Sequence, residues 1–185
     1  MHFVFTKVIK MNYLKSFDIP IKGMKTGIHE YHFDINAEFF ENIGNTLIKK
    51  GNYKVKLICE KGERMVVLNF EISGHYHSVC DRCLAKIDIP TVIDNTVFLK
   101  FEENISPSKD LDDVIYIDEK DYKFNLAGII NQLIILSMPY KNVYDCENDP
   151  NPKCDFKLLE RLENKQDNKN SDIENSIWDK LKDFN

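Results

Sequence analysis

Apolar and polar residues alternate along much of the chain, and the period of the alternation changes once. Between Ile28 and Ile35, Tyr31, Phe33 and Ile35 fall on one face and Glu30, His32 and Asp34 on the other, the period of two that marks a half-buried strand. Phe17 to Ile21 reads as a strand before it, separated by a turn from Gly23 to Gly27. Asn36 follows as a helix cap, and Phe39 and Phe40 lie on the short helix it starts. From Tyr53 the alternation is regular: Tyr53, Val55 and Leu57 against Lys54 and Lys56, then Lys61-Gly62, then Val66, Leu68, Phe70 and Ile72. That pattern predicts an antiparallel hairpin with one wet face. Gly74 to Val79 continues toward a cysteine pair. Ile87, Ile89, Thr91 and Ile93, then Val97, Leu99 and Phe101, predict the next strand, with Pro90 placing it at an edge or a bulge.

Glu102 to Asp113 is polar and reads as a loop, and Val114 to Ile117 as a further strand. Then the period becomes helical, through Leu126, Ile129, Ile130, Leu133, Ile134 and Leu136, and Pro139 stops it. The expectation is one long apolar helix, Phe124 to Ser137, greasy nearly all round and sandwiched against the sheet. Residues 163–175 are almost free of apolar side chains and read as a polar linker. A short amphipathic helix closes the chain over 176–185, with Ile177, Trp178 and Leu181 as its contact residues. The predicted fold is therefore α+β: a twisted antiparallel β-sheet or partly closed barrel, packed by that helix, with a tethered C-terminal helix. Residues 13–162 form the domain, and 1–12 an N-terminal extension for which Met11 is an alternative start.

At 185 residues and 43% hydrophobic content, the chain can fill one core. Its formal net charge of −5 repels a polyphosphate, so nucleic acid would have to meet a local patch. Arginine is scarce, with Arg64, Arg82 and Arg161 alone. Lys49, Lys50, Lys54, Lys56 and Lys61 offer a basic face, against the plainer reading of a solvated sheet surface. Asp110, Asp112 and Asp113 make an acidic cluster of the kind a solvated loop carries. Five cysteines, with no disulfide-scaffold spacing and no recognisable leader, point to the cytoplasm. The apolar runs are too short to span a bilayer.

Candidate chemistry gathers at Cys80 and Cys83, a C-x-x-C pair that suits a metal clamp, a redox couple or two small core residues. As a metal site, zinc needs two further ligands. Either Cys146 and Cys154 complete the set, or His75 and His77, which share a strand face two residues apart. As a redox pair the cysteines lack a helix N-terminus, and Arg82 is the nearest cation. His29-Glu30-Tyr31-His32 is one residue short of the zinc-protease motif, and its histidines face opposite ways on a strand. No phosphate-binding glycine loop, nucleophile elbow or dinucleotide fingerprint is present. Neither a catalytic constellation nor a small-molecule substrate emerges.

Four stretches, in order, resemble the YceD-like family, the large ribosomal RNA subunit accumulation proteins, long described as a domain of unknown function. They are SFDIPIKGMKTGIHEYHFDINAEFF, CDRCL with the strand after it, FNLAGIINQLIILSMP, and SIWDKLKDF. The resemblance implies a non-catalytic ribosome-biogenesis factor that promotes accumulation of large-subunit ribosomal RNA. Its partner is then ribosomal RNA or a large-subunit ribosomal protein, the latter favoured by the acidic loop and the terminal helix. The fuller family pattern has a compact second cysteine group, whereas YDCENDPNPKCDF here spaces Cys146 and Cys154 widely. Only Cys80 and Cys83 carry over. The reading from another class is a zinc-binding or thiol-redox protein centred on that pair.

Overall fold

The computed structural model describes residues 13–102, 114–118, 120–146 and 148–161. The expected extension 1–12, the acidic cluster at Asp110, the linker and the C-terminal helix with Ile177, Trp178 and Leu181 lie outside them. The described residues divide into two compact units: residues up to His77 together with Asp88–Tyr140, and Ser78–Ile87 together with the chain from Lys141.

Along the chain come a 3-10 turn (Lys15–Phe17), strands β1 (Asp18–Pro20) and β2 (Gly27–Ile35), helix α1 (Ala37–Ile43) and strands β3 (Gly51–Lys61) and β4 (Met65–Val79). Strands β5 (Lys86–Glu102), β6 (Val114–Asp118) and β7 (Lys123–Asn125) and helix α2 (Ala127–Leu136) follow. Strands account for 46% of the described residues and helix for 21%, so the class is mostly β rather than the α+β expected. The main sheet has the order β2-β3-β4-β5-β6, and β1 pairs with β7 in a separate two-stranded sheet. Three features correct the prediction. β6 runs parallel to β5, with Phe98 opposite Val114 and Glu102 opposite Asp118, so the sheet is mixed. Among the described residues β6 does not return to β2, and no barrel closes. Nor, among the described residues, is there a long apolar helix.

Backbone pairing shortens that helix. Phe124, expected at its start, sits opposite Ile19 in the β1–β7 ladder, and Asn125 Oδ1 accepts the Ala127 N–H at 3.1 Å where the helix begins. Ten residues then bury Ala127, Ile129, Ile130 and Ile134, while Leu136 is 81% exposed. The helix has one apolar stripe and is not sandwiched all round.

The hairpin follows the sequence closely. β2 pairs antiparallel with β3, and β3 with β4, Gly62 N–H bonding Met65 O at 2.9 Å in the connecting turn. The apolar positions of both strands, Tyr53, Val55, Leu57, Val66, Leu68, Phe70 and Ile72, are buried. Asn36 caps α1, its Oδ1 accepting from Phe39 N–H at 3.2 Å, and Gly44 ends it in the left-handed conformation at φ 77°. Pro90 lies where β5 has no β6 alongside, since that pairing begins at Phe98, and an edge position tolerates the missing N–H.

Cys59 lies on the buried face of β3, with its thiol 3.6 Å from Met24 Sδ. Burial pushes that thiol up to about 11, against the opposing pull of Lys61. A thiol with a raised folded-state pKa stabilises the fold fully below its unfolded value and loses that contribution as pH rises toward the folded one. Stability should therefore fall between about pH 9 and 11, by roughly 2–3 kcal/mol from this group. In denaturant titrations the stability of the parent relative to Cys59→Ala should fall by this amount across that range. Parallel curves would refute it.

Candidate functional site

Three clusters of polar chemistry stand out. The first is the turn Cys80 to Ala85 in the second unit. Leu84 N–H bonds Cys80 O at 2.9 Å and Cys80 N–H bonds Ala85 O at 2.8 Å, closing a tight knuckle. Leu84 takes a φ of 58°, the one left-handed non-glycine angle among the described residues. Both cysteines of the knuckle are buried and unbonded to each other. Burial pushes the Cys80 thiol up, but the backbone N–H groups of Tyr144, Cys83 and Arg82 and the Cys83 thiol donate to its sulfur and hold it below the ordinary thiol value. Residue 81 is held as well: Asp81 N–H donates to Asn142 O at 2.8 Å, and Asn142 N–H to Asp81 Oδ2 at 2.7 Å. Cys146 and Cys154, expected as thiols, are joined as a disulfide in this same unit.

The second cluster belongs to the first unit. His75 and His77 project from β4 with their rings 5.4 Å apart, as the strand period predicts. Asp88 of β5, which the sequence reading missed, bonds His77 Nδ1, and one ligand atom from each of the three lies within 4.8 Å of the others. A histidine two residues along a strand was legible. The carboxylate was not, because strand neighbourship supplies it. The histidines and the Cys80/Cys83 pair thus fall in different units.

The third is a groove of about 630 Å³ in the first unit, lined by Lys22, Lys61, Glu63, Arg64, Lys100, Phe101 and Asp121. Lys61 Nζ lies 3.8 Å from the Phe101 ring centre, and Lys22 Nζ 4.9 Å from that of Tyr122, both within cation–π range. Desolvation lowers the Lys61 pKa, with Cys59 acting the other way. Of the lysines expected to form a basic face, Lys61 belongs to this groove. Lys54 and Lys56 instead line a mixed surface with Asp34, Glu71 and Asp94, and Lys56 pairs with Glu71 at 3.3 Å. That is the solvated-face reading. His29 and His32 do not meet: His29 Nε2 bonds Lys25 O and His32 Nε2 bonds Glu30, each at 2.8 Å.

Taken together, these features define a β-rich domain with an open mixed sheet, a cysteine knuckle and a cation-bearing groove, whose exposed chemistry is that of surfaces. Residues 68–185 match the family described as Large ribosomal RNA subunit accumulation protein YceD, and the chain belongs to that family. The match begins within β4 and takes in the knuckle, β5 and α2, but not the opening stretch that also resembled it. No curated protein and no solved structure matches the chain. Among the described residues no helix is long and apolar enough to cross a membrane, which leaves strand-built membrane proteins unaddressed.

Proposed function

We propose that this protein is a non-catalytic factor, acting in the cytoplasm, that promotes accumulation of large-subunit ribosomal RNA. The observation that carries the reading is the family match over residues 68–185. We further propose that it touches RNA directly, through the groove of Lys22, Lys61, Arg64 and Lys100. Four cations against two carboxylates give that groove a local positive balance within a chain of net charge −5. The lysines beside Phe101 and Tyr122 place charge next to aromatic faces, the combination that holds single-stranded RNA through phosphates and stacked bases. The features that favoured a ribosomal-protein partner, the acidic loop and the terminal helix, lie outside the described residues.

Depletion of the protein should shrink the large-subunit peak in a sucrose gradient, and unchanged particles would overturn the function. The mode of binding is tested separately. A Lys61→Glu/Lys100→Glu chain should bind single-stranded ribosomal RNA at least about 10-fold more weakly, with the slope of affinity against salt lowered by about 1 for each phosphate that is no longer neutralised. Ribosomal partners captured with the parent chain should disappear on nuclease treatment. Capture that survives nuclease would place a protein, rather than RNA, at the interface.

A further inference from the structure

Among the described residues, the second unit buries little apolar surface. Its buried apolar side chains, among the described residues, are Cys80, Cys83 and Ile87. A core this small does not repay the entropy of ordering the loop around it, and units of this kind depend on a crosslink or a metal.

Four cysteines sit where such a tie would act. The knuckle turns so that the amides of Arg82 and Cys83 point at Cys80 Sγ, at the expense of a left-handed Leu84. The segment from Asn142 crosses this knuckle, fixed by the paired Asp81 and Asn142 bonds, and adds the Tyr144 amide to the same sulfur. Cys146 lies two residues further on, with its sulfur 3.4 Å from Tyr144 O. Cys154, bonded to Cys146, lines a recess with Ala85 and Lys86, the residues that leave the knuckle. Backbone amides aimed at a sulfur offset part of the charge that several thiolates bring to one point. The cationic side chains of the knuckle, Arg82 and Lys86, are exposed, so neither supplies a buried counter-charge.

We propose that Cys80, Cys83, Cys146 and Cys154 together bind one zinc ion, as a closed tetrahedral thiolate site that stabilises the second unit. Four thiolates and no open position are the donor set of structural zinc rather than catalytic zinc. The proposal stands apart from what the protein assembles with. The Cys146–Cys154 bond must first open: two molecules of a cellular monothiol reduce it to two thiols and leave as their own disulfide. Zinc then displaces the four thiol protons to solvent, with no further change in oxidation state.

The test uses the full chain, purified with a monothiol present and passed through gel filtration before elemental analysis. About one zinc per chain is expected, released in step with capping of the thiols by an organomercurial. Cobalt(II) in its place should show the intense visible bands of a tetrahedral tetrathiolate. Cys154→Ser, on a partly exposed loop, should lose the metal while far-ultraviolet circular dichroism shows the main sheet intact. Cys80→Ser should lose it too, and His77→Ala should keep it. A chain that is metal-free under reducing conditions would overturn the proposal. So would zinc that gel filtration strips away, or zinc kept by Cys154→Ser and lost by His77→Ala, which would assign the ion to His75, His77 and Asp88.

Discussion

Replacing Gly74 with alanine should cost the protein more than about 3 kcal/mol, at or beyond the upper end for an overpacked core position. Gly74 lies on the core face of β4 between buried Ile72 and Tyr76, directly opposite Tyr53 of β3. A Cβ there would stand 2.2 Å from Asn52 O, 2.6 Å from Tyr53 Cα and 2.7 Å from Tyr53 Cδ1. Two of these neighbours are backbone atoms in a paired strand, so no rotamer change relieves them; β3 itself must move away, and its ladder with it. The Tyr53 ring covers the space a side chain would fill. The midpoint of thermal unfolding should drop by about 10 °C, taking 2–4 °C per kcal/mol for a chain of this size. Gly128→Ala is the internal control. Its Cβ would meet nothing within 4 Å in helix α2, and the gain in helix propensity should raise stability by up to about 1 kcal/mol. Similar midpoints for the two variants would show that β3 gives way easily at this crossing.

The residues that spelled out the fold were those whose environment repeats along one strand. Tyr53 to Leu57 and Val66 to Ile72 alternate because a single buried face selects every second side chain, and that holds whatever else the strand touches. Asn36 was legible for a similar reason, since a cap acts within three residues of itself. The direction of β6 was not. Side-chain period is the same in parallel and antiparallel strands, so Val114 to Ile117 announced a strand without its partner's sense. The extent of α2 failed because Phe124 fits a helical stripe as well as a strand, and the choice was made by backbone bonds to Ile19, over a hundred residues away.

The candidate sites divide along the same line. The spacing of Cys80 and Cys83 is local and was read directly, as was that of His75 and His77. The amide of Tyr144 on Cys80 and the assembly of Lys22, Lys61, Arg64 and Lys100 are long-range, and no short window of sequence contains them. The Asp88 carboxylate is only eleven residues from His77, but it is brought there by the pairing of two strands, which side-chain period does not reveal. Lys54 and Lys56 looked basic only because the acids they face, Asp34, Glu71 and Asp94, come from other strands and other parts of the chain.

The second large effect is expected at Phe39, whose ring is fully buried on α1. It lies 5.0 Å from Phe17 and 5.5 Å from Phe40, both edge-on, and Phe17 in turn stacks on Phe33 at 5.3 Å. Phe40 continues the chain of rings to Tyr53 at 6.2 Å. The 3-10 turn at Lys15–Phe17, strand β2, helix α1 and strand β3 are thereby tied through one aromatic cluster. A seven-residue helix does not hold its shape unaided, and β1 offers only three paired residues, so these elements depend on the cluster more than on their own hydrogen bonds. Phe39→Ala should cost about 3–5 kcal/mol, a large part of the roughly 5–15 kcal/mol that keeps an ordinary domain folded. Phe39→Leu keeps most of the buried area but gives up the edge-on ring pairs, each worth about 0.5–1.5 kcal/mol, and should fall between the parent and the alanine variant. Urea titrations of the three chains measure the order directly. If the alanine variant unfolds within about 1 kcal/mol of the parent, α1 is held by its Asn36 cap and its packing on α2, and the ring cluster is without consequence for stability.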